Sequence, residues 1–172
     1  MAQKSAVPRN MYVSSRDEFE CSYLGSDSAG KLQLEAHRYV IEVTVVADPA
    51  YPCVSVQTAL WDATRQVISF DTLKTIIQTC VRDKSFILGD EFLPSREGEH
   101  ELAIALAKLN VPLVHLGVES ISAEILASYI GNQLTKELIR WKYPFLVVSE
   151  LRLRENSRNY VTWKPSITFP VR

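Results

Sequence analysis

The sequence predicts an α+β fold, a largely antiparallel sheet with helices packed on one face. Three observations carry this reading. Two strand-like runs open the chain, and the second, Tyr39-Val40-Ile41-Glu42-Val43-Thr44-Val45-Val46, is the strongest strand signal in it. It is rich in β-branched residues, as a half-buried pleated surface favours. Amphipathic helix patterns follow at 70–82 and 123–139, and two more strand patterns, 146–154 and 159–163, close the chain. Adjacent opening strands pair most simply as a hairpin, and the helices then bury their apolar stripes on one side of the sheet.

The elements follow in order. Residues 1–10 read as a flexible lead-in, and 11–172 as a single domain. Within 11–24, Phe19, Cys21 and Tyr23 alternate onto one side of a strand. Gly25-Ser26-Asp27-Ser28-Ala29-Gly30 is a turn by composition. Asp48-Pro49 ends the strong strand, and a weaker strand follows near 54–61. Phe70, Leu73, Ile76, Ile77, Cys80 and Val81 recur at helical spacing, with Ser69 as N-cap. A shorter helix fits 99–109, with Leu102, Ala105, Leu106 and Leu109 inward. Pro112 to Val118 reads as a short strand. In the helix at 123–139, Ile125, Leu126, Tyr129, Ile130, Leu134 and Leu138 share a face.

Composition excludes some function classes. A length of 172 residues suits one domain, and 47% hydrophobic residues suffice for a sizeable core. Nineteen basic residues balance 20 acidic ones, so no footprint for nucleic acid or an anionic membrane surface is present. Cys21, Cys53 and Cys80 are odd in number and match no CxxC or zinc-knuckle spacing. They read as reduced thiols, mostly buried, of a cytoplasmic protein. Met1 to Asn10 has no apolar core for a secretory signal. No apolar stretch reaches the roughly 18 residues needed to span a bilayer.

Four segments, in order, resemble the 6-pyruvoyl-/6-carboxy-tetrahydropterin synthase family. Leu34-Glu35-Ala36-His37-Arg38-Tyr39 followed by an apolar strand stands where that family has His-Gly-His-x-Tyr. Val67-Ile68-Ser69-Phe70-Asp71-Thr72-Leu73-Lys74 is similar to its Met-Val-x-Asp-Phe-x-x-Leu-Lys. Ser122-Ala123-Glu124-Ile125-Leu126-Ala127 is similar to Thr-x-Glu-Asn-Leu-Ala. Glu150-Leu151-Arg152-Leu153-Arg154-Glu155-Asn156 is similar to a strand ending Val-x-Val-x-Glu-Thr. The resemblance implies the tunnelling fold (T-fold). In it, an antiparallel four-stranded sheet carries two main helices on one face and joins neighbouring subunits in a barrel. A homo-oligomer follows from it, expected as a hexamer of two stacked trimers. Residues 91–121 depart from the shortest family members by an extra helix and strand.

The resemblance also implies a site. The family holds zinc on three histidines, moves protons with a cysteine and an Asp-His pair, and anchors a dihydroneopterin-type ring on a carboxylate. Here Tyr23 and Glu35 occupy the first two ligand positions, and His37 alone keeps the third. Glu35 and His37, two apart on a strand, point the same way. They could hold a metal only with a third ligand from Cys21, Glu20 or a partner subunit. No resident cofactor is otherwise expected. Lys31 is nearest the cysteine position, and Asp83-Lys84 replaces Asp-His. His115 could bring an imidazole from another segment, although a lone His in an apolar run is more often structural. Glu155 stands at the anchor position, Asn156 replaces a threonine, and Ser122 and Glu124 match residues that approach substrate. As ordinary structure, Ser122 is an N-cap and Glu124 a first-turn acid.

Three functions follow from this pattern. One is a pterin- or purine-binding protein without the standard zinc reaction, or with a modified step using Lys31, Glu35, His37 or Lys84. Another is an active carbon–oxygen lyase of the synthase type with an unusual metal site. The third is a non-catalytic structural or regulatory subunit.

Overall fold

The computed structural model describes residues 11–26, 32–48, 66–82, 84–87, 99–118, 121–156 and 158–165. Its elements are β1 (Tyr12–Ser26), β2 (Leu32–Ala47), α1 (Phe70–Val81), β3 (Ser85–Ile87) and α2 (Glu99–Lys108). Then come β4 (Leu113–His115), α3 (Ala123–Arg140), β5 (Leu146–Arg154) and β6 (Tyr160–Trp163). Four strands form one antiparallel sheet in the order β1-β2-β5-β6. The weak strand expected near 54–61 lies outside the described residues.

The opening hairpin is long and regular: Tyr12 faces Val46 at one end, and Ser26 faces Leu32 at the other. Alternation places Phe19, Cys21 and Tyr23 of β1 and Tyr39, Ile41, Val43 and Val45 of β2 on the buried face. The ladder between β2 and β5 shifts at Thr44/Val45, so that Ser149 becomes an extra residue on β5. The shift explains why the buried residues of β5 run 146, 148, 151, 153 and not in strict alternation. Ser149 Oγ donates to the Thr44 carbonyl at 3.1 Å, which gives the bulge a side-chain bond.

Both main helices lie on this face. α1 buries Leu73, Ile76, Ile77, Cys80 and Val81; α3 buries Leu126, Ala127, Ile130, Leu134 and Leu138. Each Leu, Ile or Val among these contributes about 1.5–3 kcal/mol by leaving water. Ser69 Oγ caps α1 by accepting from the Thr72 N–H at 3.1 Å. Gly131 lets α3 approach β6 closely, since a Cβ there would sit 2.5 Å from ring carbons of Trp163.

Several expectations are corrected. Phe70 shares the spacing of the α1 stripe but is 68% exposed, because it sits at the first turn. Ala105 and Leu109 were expected inward; both are exposed. α2 packs little against the rest, and Leu109 lies past its end in a turn where Asn110 takes φ 56°. The strand at 112–118 is only Leu113–His115, and its partner β3, which periodicity does not flag, pairs with it in parallel.

Candidate functional site

The hairpin register assembles the site's first half. Cys21 lies opposite His37, Tyr23 opposite Glu35, and Phe19 opposite Tyr39. Directly opposed residues share a face, so these side chains meet at the end of the helix-covered side. The Tyr23 ring stacks on the His37 ring, with centroids 5.4 Å apart and planes 10° from parallel. The Tyr39 hydroxyl donates to Tyr23, which donates to the Glu35 carboxylate. Burial raises the pKa of both tyrosines above the usual phenol range, so both remain donors.

The second half comes from the far end of the chain. Glu155 directly follows β5, and its Oε1 lies 2.7 Å from His37 Nδ1. On the other side of the ring, His37 Nε2 lies 3.4 Å from Glu35 Oε2. A neutral imidazole can donate to one of these carboxylates; the doubly protonated ring donates to both. The turn after Glu155 is built by Asn156, whose Oδ1 accepts from the N–H groups of Arg158 (2.9 Å) and Asn159 (2.8 Å). This is an Asx turn. The Glu155 N–H donates to the Asn159 carbonyl at 3.3 Å, which closes the turn.

Glu155 also borders a cleft of about 350 Å³, shared with Glu124, Arg158, Asn159 and Tyr160. Ser122 Oγ accepts from the Ile125 N–H at 3.4 Å and caps α3. Its hydrogen bond to Glu124 is the main cause that holds that carboxyl below the usual range. The structural roles of Ser122 and Glu124 are therefore both present, and Glu124 still faces the cleft.

The remaining candidates separate. Lys31 and Asp83 lie outside the described residues. Lys84 lines a different groove, of about 750 Å³, along the β1 edge with Glu18, Cys21, Arg38 and Arg82. His115 is exposed at the end of β4. Cys21 is buried, and burial pushes its thiol up to about 12. The structure thus brings together Glu35, His37, Glu155 and Glu124, and leaves Lys84 apart. Sequence reasoning missed the Tyr39–Tyr23–Glu35 chain, although the alternation of Tyr23 and Cys21 was its signal.

The donors do not fit the zinc ion that the resemblance implies. Among the described residues, no group of three or more His, Cys, Asp and Glu could hold a metal ion. A metal-bound imidazole gives one nitrogen to the ion and the other to a carboxylate or carbonyl. Here both His37 nitrogens face carboxylates. Tyr23 is bound to Tyr39 and Glu35, the Cys21 thiol is neutral, and Glu20 points to the opposite side of the sheet from Cys21.

The fold matches solved 6-pyruvoyltetrahydropterin synthases. That of Plasmodium falciparum superposes with a TM-score of 0.56 at 16% identity, over 90% of this chain and 97% of that one. That of Plasmodium vivax, in a catalytic-residue mutant, does so with a TM-score of 0.54 at 14% identity, over 91% and 99%. The chain therefore has the tunnelling fold of these synthases. No protein-family model matches its sequence, and no curated protein does. Among the described residues, no helix is long and apolar enough to cross a membrane.

Proposed function

We propose that the protein binds a pterin or purine-like heterocycle through Glu155 and does not run the zinc-dependent side-chain reaction of the tetrahydropterin synthases. The observation that supports this most is the placement of Glu155. It sits on a closed turn at the rim of a cleft, next to the start of α3. A cleft of about 350 Å³ lies at the lower end of the range for small-molecule sites. A carboxylate has about four acceptor positions, so the contact with His37 leaves room for two more bonds. The 2-amino group and ring N–H of a pterin or guanine supply two parallel donors. Charge-assisted bonds of this kind contribute about 1.5–3 kcal/mol each.

The proton-moving groups of the family reaction have no equivalent in this cluster. A thiol held near 12 supplies almost no thiolate at neutral pH. A modified reaction would draw on Lys31, Glu35, His37 or Lys84; Glu35 and His37 lie in the cluster, and Lys84 faces the other groove. We further propose a homo-oligomer, most simply a hexamer of two barrel-forming trimers. Among the described residues, β1 and β6 each lack a strand neighbour on one side. The sheet face away from the helices is polar, with Ser14 bonded to Thr44 and Glu150 paired with Arg152 and Lys164.

Metal analysis of protein purified without added zinc, with crystals soaked in neopterin, biopterin or guanine, tests this reading. The expected result is a ring on Glu155 and far less than one zinc per chain. Stoichiometric zinc would favour an active lyase with an unusual metal site. A cleft left empty by all three compounds would favour a structural or regulatory subunit.

A further inference from the structure

We propose that His37 is a positioning residue, its ring bridging Glu35 and Glu155 where the resemblance implies a metal ligand, and that this bridge aims the Glu155 carboxylate at its cleft. The proposal rests on the reading of Glu155 as the ring anchor and deepens it.

The backbone alone does not fix Glu155 against β2. The β2–β5 ladder ends at the pair Val40–Arg154, one residue short of it. The 2.7 Å contact from His37 Nδ1 is a side-chain tie across the open end of that ladder. His37 is itself over-determined. Glu35 holds its second nitrogen at 3.4 Å, and Tyr23 covers one ring face at 5.4 Å, nearly parallel. Tyr39 and Tyr23 in turn hold Glu35 by consecutive hydroxyl bonds. A half-exposed glutamate otherwise loses rotamer freedom when it grips a ligand, and a carboxylate already held loses less. A ring that donates from both nitrogens has no lone pair left for a metal.

The test is a mutant cycle on the full chain, with neopterin as the fluorescent probe. His37→Leu keeps bulk and removes both ties, and His37→Gln keeps one donor. His37→Leu should weaken neopterin binding about tenfold, and His37→Gln less. In a Glu155→Gln background, His37→Leu should have almost no further effect. If the two losses multiply, or if His37→Leu binds as the parent does, the proposal is overturned.

A second arm needs no heterocycle. Each single variant should lower Tm by about 1–3 °C, and the double variant by clearly less than the sum. Additive shifts overturn the bridge. Zinc titration against a chromophoric chelator completes the test. The bridge requires zinc binding too weak to compete, and tight stoichiometric binding that His37→Leu abolishes would overturn it. If the parent protein does not bind neopterin at all, the anchor reading fails, and the melting and zinc arms still decide the bridge.

Discussion

Replacing Gly131 with alanine tests the packing that sets the shape of the cleft. α3 carries Glu124 at its start, and β6 returns from the Glu155 turn, so their separation fixes the width between them. An alanine Cβ at 131 would lie 2.5 Å from two ring carbons of Trp163 and 2.7 Å from a third. Carbon atoms rest at about 3.5–4.0 Å, so the ring or the helix must move by about 1 Å. Overpacking of this kind costs about 1–3 kcal/mol. Removing a mid-helix glycine returns about 0.8–1 kcal/mol. The clash wins because an indole ring cannot fold away as a flexible chain end does. The net loss of up to about 2 kcal/mol lowers Tm by up to about 8 °C for a chain of this size. Thermal melting followed by circular dichroism reads this directly. In a Trp163→Ala background the clash is absent, and Gly131→Ala should become neutral or stabilising by up to about 1 kcal/mol. A Tm that rises on Gly131→Ala in the parent chain would refute the close approach of α3 to β6.

Three further outcomes follow from single features. Ser122→Ala should cost about 0.5–2 kcal/mol, seen as a lower Tm, and Ser122→Asp should restore most of it; equal melting of all three would remove the cap. Burial raises the thiols of Cys21 and Cys80 from 9.0 to about 12, so between these values the folded chain keeps protons that the unfolded chain releases. Their contribution is therefore full below about pH 9 and is lost as pH rises toward 12. A Cys21→Ala/Cys80→Ala variant should show a flatter fall of Tm over pH 9–11, and an unchanged slope would contradict the burial of these thiols. Leu109→Ser should change stability by no more than about 0.5 kcal/mol, since Leu109 is 73% exposed, whereas Leu126→Ala should cost about 2–5 kcal/mol.

What was legible in the sequence was what depends on local period. The β-branched run at 39–46, the alternation through Phe19, Cys21 and Tyr23, and the stripes of α1 and α3 all sit where periodicity placed them. Where a residue's environment depends on neighbours distant in sequence, period alone misleads. Phe70 and Leu109 match helical spacing yet are exposed. Ser149 is an extra residue only because of how β5 meets β2, which no pattern within β5 records. The site divides in the same way. That Glu35 and His37 point to one side follows from their spacing of two. That His37 meets Glu155 does not, since 118 positions separate them and the contact forms only at the end of the β2–β5 ladder. Asn156 stands where the resemblance implies a threonine, and its side chain builds the turn that presents Glu155.

Glu155 is proposed to anchor a heterocycle with no metal in the grip. Fluorescence titration of the full chain with neopterin, once with a strong chelator and once with equimolar zinc, tests it most directly. The same Kd in both conditions is expected, with binding at least about tenfold weaker in Glu155→Gln as a charge-assisted pair is lost. Binding that appears only with zinc, or that Glu155→Gln leaves unchanged, would contradict it.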